Sequence, residues 1–97
     1  MATTKEYKEY ILEMLDSLDN VRLRPMMGEY LLYYQNVLCG GIYDDRLLVK
    51  IVKSNMKYNM PKAIPYDGGK EMFLVSAVDE RETLNEIIID TYNDLKK

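Results

Sequence analysis

Val21-Arg22-Leu23-Arg24-Pro25-Met26-Met27-Gly28-Glu29-Tyr30-Leu31-Leu32-Tyr33-Tyr34-Gln35-Asn36-Val37-Leu38-Cys39-Gly40-Gly41-Ile42-Tyr43-Asp44-Asp45-Arg46-Leu47-Leu48-Val49-Lys50-Ile51-Val52 is the stretch that decides the fold. Its aliphatic, aromatic and β-branched residues fall into short runs, 21–24, 29–35, 37–43 and 46–52, which is strand composition. Gln35-Asn36 and Asp44-Asp45 have the length of tight hairpin turns, and Pro25 to Gly28 makes a slightly longer bend. Links this short cannot hold a parallel crossover, which takes roughly a dozen residues. The runs therefore predict an antiparallel meander.

Outside this stretch the apolar period changes. Tyr7, Tyr10, Ile11, Met14, Leu15 and Leu18 recur at three/four spacing, which predicts an amphipathic helix over 4–18, with Thr3 and Glu6 as a capping box and Asp19-Asn20 as its stop. Leu84, Ile87, Ile88, Tyr92 and Leu95 predict a second such helix, capped by Asp79 and Glu82. Between meander and second helix, 54–60 reads as a helical turn, Pro65 to Gly69 as an exposed loop and 71–78 as a fifth strand. The expected architecture is an α+β two-layer sandwich, an antiparallel sheet of about five strands with N- and C-terminal amphipathic helices, in the order α-β-β-β-β-α-β-α.

Composition bounds the function. A chain of 97 residues, 47% hydrophobic and 30% charged, is expected to be one globular domain spanning 1–97. There is no histidine, which removes Ser-His-Asp and Cys-His catalysis and the usual zinc ligand sets. The single Cys39 has no partner for an internal disulfide and suits a reducing compartment. With no apolar leader and no apolar run of membrane-spanning length, the expected location is cytoplasmic and no membrane is expected as a partner. No cofactor, metal or catalytic residue is expected.

The net charge of −3 is unevenly spread, because acidic residues crowd both ends while Arg46, Lys50, Lys53, Lys57, Lys62 and Lys70 face only Asp67 in the middle. That segment is either a solvated surface or an anion-binding one. On the strand 29–35, alternation gives Tyr30, Leu32 and Tyr34 one face and Leu31 and Tyr33 the other. One face should meet the helices, and the other is either a dimer or ligand surface or ordinary amphipathic sheet packing, in which a tyrosine buries its ring and keeps its hydroxyl wet. Gly40-Gly41 reads as a bulge, Asp44-Asp45 as a hairpin turn, Gly68-Gly69 as turn chemistry, Cys39 as a small buried hydrophobe and Met26-Met27 as core filling. The candidate binding residues are Arg24, Tyr30, Tyr33, Tyr34, Arg46 and Lys50.

The segment Arg24-Pro25-Met26-Met27-Gly28-Glu29-Tyr30-Leu31-Leu32-Tyr33, followed by the Asp45-Arg46-Leu47 turn and Lys50, resembles the N-terminal domain of the TfoX/Sxy family. That family shows R-x-M-F-G-G-Y-G-L-Y and then a D-x-L-Y-L-K strand. A looser likeness runs through Ile64-Pro65-Tyr66 to the terminal helix. Met27 stands where the family has an aromatic residue, and Glu29 and Leu31 where it has its second and third glycines. The resemblance implies a secretion-chaperone-like two-layer fold, often paired into dimers, and a regulatory context: larger members carry a second, helical domain and act as transcriptional co-activators of DNA-uptake competence.

The leading expectation is thus a non-enzymatic regulatory or adaptor domain that binds a protein partner, or itself as a homodimer. Two rivals stay open: a nucleic-acid-associated domain using 46–70 with Tyr58 and Tyr66 for stacking, and a small-molecule binder around Arg24, Tyr30 and Tyr33.

Overall fold

The computed structural model describes residues 2–96. Helix α1 (Lys5–Met14) leads into the meander β1 (Val21–Met26), β2 (Glu29–Tyr34), β3 (Val37–Ile42) and β4 (Leu47–Val49). A 3₁₀ helix (Lys53–Tyr58), β5 (Lys62–Ala63), β6 (Met72–Leu74) and α2 (Arg81–Leu95) complete the order. The strands form one antiparallel sheet, β1-β2-β3-β4-β6-β5. The architecture is the expected α+β sandwich. It gains a sixth strand, because the two residues of β5 are too few for any sequence pattern and pair only once β6 is in place.

Three hairpin turns set the meander. Each puts both central residues at positive φ: Met27 and Gly28 at 51° and 86°, Gln35 and Asn36 at 52° and 66°, Asp44 and Asp45 at 53° and 57°. This is the type I′ geometry, whose twist matches that of the flanking strands. The first turn is tighter than the bend expected over 25–28, since Pro25 and Met26 lie inside β1 opposite Tyr30 and Glu29. A proline fits there because β1 is the sheet's edge, where a missing N–H removes no ladder bond. Between β2 and β3 the register slips at Leu32/Tyr33, so that Cys39 is the extra residue of a bulge beside the paired glycines.

Both helices lie on one face of the sheet. Ile11 of α1, Leu15 at its C-cap, and Leu84, Ile87 and Ile88 of α2 are at most 1% exposed and pack with Leu32, Ile42, Leu47, Val49, Phe73 and Val75. Each such side chain contributes about 1.5–3 kcal/mol on leaving water. That is what holds a ten-residue α1, since a helix so short is marginal by itself.

The helix caps differ from expectation by small shifts. Thr4, not Thr3, caps α1, accepting from Tyr7 N at 3.2 Å. Thr3 is buried instead: its hydroxyl donates to Glu29 Oε1 at 2.7 Å, and its N–H donates to Gly28 O at 3.1 Å. Glu80, with no side-chain capping bond, begins α2, while Asp79 accepts from the Tyr10 hydroxyl and ties the two helices together. On α2 the last fully buried position is Thr91, not Tyr92 or Leu95, which are half-buried.

Candidate functional site

The helix-free face of the sheet carries the site. Leu47, Leu48 and Val49 are all fully buried, although neighbours on a strand point to opposite faces. Both faces of β4 are therefore covered, one by the helices and the other by the loop 65–70. Arg46 holds that loop at its start. Its Nε donates to Tyr43 O at 3.2 Å, and its Nη2 donates to Ile64 O at 3.3 Å and Pro65 O at 3.4 Å. The loop then turns back on itself, with Gly69 N donating to Tyr66 O at 2.9 Å and Gly68 at φ 82°.

Two tyrosines fix the loop's distance from the sheet. The Tyr43 ring lies over Gly41, where a Cβ would come within 2.7 Å of its Cε2. Tyr66 packs on Tyr43 at 6.0 Å between centroids and 59° between planes. Beside this stack the loop leaves a cavity of about 580 Å³, lined from the sheet by Leu31, Leu38, Lys50 and Met72 and from the loop by Tyr66 and Lys70. Lys50 is half-buried, and neither lysine pairs with a carboxylate among the described residues.

A second, shallower hollow of about 330 Å³ lies at the sheet edge between Arg22, Arg24, Pro25 and Tyr33. Arg22 opposes Tyr33 across the β1–β2 ladder, with its guanidinium carbon 5.9 Å from the ring centroid, and Arg24 opposes Leu31. Both guanidinium groups are exposed and have no carboxylate partner among the described residues. The result is a cationic, aromatic-floored margin in a chain of net charge −3.

The candidate residues thus separate. Arg24 and Tyr33 meet at the edge hollow and Lys50 lines the larger cavity. Arg46 serves as the loop's anchor and makes no wall of either. Tyr30 and Tyr34 fall on the helix face: Tyr30 packs against the core under Lys8, and Tyr34 meets the Tyr92 ring edge-on at 5.0 Å. Alternation had separated Tyr33 from those two, but which face the helices would cover is a tertiary fact. Lys70 and Tyr66 are legible in the sequence only as members of the basic segment and a stacking candidate; that they and Met72 wall one cavity with Lys50 depends on the chain returning from the far side of the 3₁₀ helix.

Three further expectations need correction or refinement. Met27 is 98% exposed at the β1–β2 turn, so it fills no core, and Met26 is only half-buried. The basic segment 46–70 does not form one surface. Lys57 is paired with Asp90 at 3.1 Å, Tyr58 donates to the same carboxylate at 2.6 Å, and Arg46 is engaged with carbonyls. Cys39 is fully buried, and burial pushes its thiol up to about 11, which leaves it protonated and a poor nucleophile at neutral pH.

Fold and site together define a two-layer α+β domain with one sheet face sealed by helices and the other furnished with two hollows. Over 82 residues the chain is 29% identical to a protein of Spirochaeta aurantia named "Uncharacterized 12.7 kDa protein in trpE 5′region", an alignment covering 82% of this chain and 71% of that one. No family model matches the chain, and no solved structure matches it. No helix among the described residues is long and apolar enough to cross a membrane.

Proposed function

We propose that this chain is a non-enzymatic regulatory or adaptor domain, of the kind the TfoX/Sxy N-terminal domain represents, which engages an acidic segment of a protein partner along β1. The observation that carries this reading is the pair Arg22 and Arg24, exposed beside Tyr33 on the outermost strand and without a carboxylate partner among the described residues, Arg22 donating only to Asn36 Oδ1 at 3.4 Å. Guanidinium groups recognise carboxylates through paired N–H donors. Arginine and tyrosine are the residue types enriched where protein surfaces meet. A partner copy of this chain is one such acidic protein, since the chain has a net charge of −3 and its two helices carry seven of its sixteen carboxylates.

A photo-crosslinking residue placed at position 33 tests the reading in the native cell. A discrete protein adduct is expected, lost in the R22E/R24E double variant and absent when the crosslinker sits at Lys53. Equal capture from both positions, or turnover of a metabolite by the purified chain, sinks it.

A second reading, a small-molecule binder, is favoured by the 580 Å³ cavity, a size within the range of roughly 300–1,000 Å³ of small-ligand sites. A nucleic-acid function is less well supported, because the engagement of Lys57, Tyr58 and Arg46 within the fold breaks up the footprint it would need.

A further inference from the structure

The larger cavity has two kinds of wall. Leu31, Leu38 and Met72 form an apolar floor with Tyr66 at the loop side, and Lys50 and Lys70 supply two positive charges against the one negative charge of Glu71, a local balance of +2 − 1 = +1. Lys50 is the unusual member. It directly follows β4, half-buried, and its ammonium pairs with no carboxylate among the described residues. A partly desolvated charge without a counter-charge is unfavourable, and an anion seated in the cavity relieves that deficit.

The loop is built to hold such a ligand against the sheet. Its start is pinned by Arg46. At its far end, a Cβ on Gly69 would crowd Tyr66 Cε1 at 3.1 Å and Pro65 Cγ at 3.2 Å, so the absence of a side chain there lets Tyr66 fold back over the strands. Tyr66 nevertheless remains 58% exposed, which leaves ring surface for an apolar body to cover.

We propose that this cavity binds a small amphipathic carboxylate, its hydrocarbon or aromatic body on Leu31, Leu38 and Met72 beside Tyr66 and its carboxylate between Lys50 and Lys70. The inference deepens the small-molecule reading and is independent of the partner surface on β1. The ligand's chemistry is one anionic head and one apolar body of a size that this half-open cavity accommodates.

The test is an amide NMR titration of the intact chain with octanoate, with 1-octanol and octylamine as probes of equal length and different charge, all below micelle-forming concentrations. Octanoate should give saturable shifts at Leu31, Leu38, Lys50 and Gly69 and none along α2. Octanol should bind roughly tenfold or more weakly, the difference that one charge-assisted contact makes, and octylamine more weakly still. Lys50→Gln should erase the preference for octanoate over octanol; Lys70→Gln, at an exposed position, provides the same reading if the first variant does not fold. Lys53→Gln, outside the cavity, should change nothing. Equal binding of octanoate and octanol in the cavity overturns the carboxylate inference while leaving a small-molecule site. Absence of saturable shifts there with every probe overturns both.

Discussion

Asn55 donates through Nδ2 to the Thr91 hydroxyl at 2.8 Å, with both residues fully buried between the 3₁₀ helix and α2. The same amide donates to Lys50 O at 2.8 Å and accepts from Val52 N at 3.2 Å, and the Thr91 hydroxyl in turn donates a hydrogen bond to Ile87 O at 2.8 Å. One buried side chain thereby satisfies backbone groups at the end of the sheet and docks the following turn on α2. Asn55→Leu strands several of these groups at about 1–3 kcal/mol each, so urea unfolding should show a loss of about 2–4 kcal/mol. Thr91→Val should cost less, about 1–2 kcal/mol, and the double variant less than the sum, because the two residues share a bond. Strict additivity would show that the pair does not act as a unit.

At Gly40 the backbone of β4 fills the space where a side chain would go. A Cβ at this position would sit 2.1 Å from Leu48 O and 2.8 Å from Val49 Cα, both backbone atoms that cannot step aside. Gly40→Ala should therefore cost more than the usual 1–3 kcal/mol of overpacking and leave little folded protein by circular dichroism. At Gly68, where nothing lies within 4 Å, only the positive φ opposes alanine, and Gly68→Ala should cost about 1 kcal/mol. Comparable losses at the two positions would contradict this packing.

Much of this architecture is legible in the sequence because it depends on local pattern. The strand runs, the turns at Gln35-Asn36 and Asp44-Asp45, and the two apolar stripes each carry their own signal. What is not legible depends on neighbours. Pro25 looks like a strand breaker until β1 is known to be an edge, and Thr3 looks like a cap until Glu29 is brought to its hydroxyl from the next turn. At the site, alternation separated Tyr33 from Tyr30 and Tyr34, but no periodicity announces that Tyr66 and Lys70 return over Leu31. The loop that carries them reads only as a set of breakers.

Met27 holds a backbone conformation that suits it poorly, with φ 51° at a turn position favouring Asn, Asp or Gly, and it buries nothing in return. Met27→Asn creates the Asn-Gly pair that type I′ turns prefer. Thermal or urea unfolding should show a gain of about 0.5–1 kcal/mol. A loss of stability would mean that the methionine makes a folding contribution not visible in its surroundings.

Cys39 gives the fold a dependence on alkaline pH whose sign can be worked out. Burial raises its thiol from 9.0 to about 11, against smaller downward pulls from a Tyr34 backbone hydrogen bond and the Lys50 charge. Below pH 9 the thiol is protonated in the folded and the unfolded chain alike, and its contribution to stability is fully present. Above that, the unfolded chain releases the proton first and so binds fewer protons than the folded one, and stability falls with rising pH until the folded thiol also ionises near 11. The tyrosines Tyr7, Tyr43 and Tyr58, all raised chiefly by burial, push in the same direction. The measurement is therefore a difference: urea midpoints at several pH values between about 8 and 10.5 for the wild type and for Cys39→Ala. The variant should start lower, since it leaves a small cavity, but its stability should decline less steeply with pH. Parallel curves would show that the thiol does not ionise differently in the folded chain. Rapid labelling of the native protein by iodoacetamide at about pH 8 would show that Cys39 is not shielded as its burial requires.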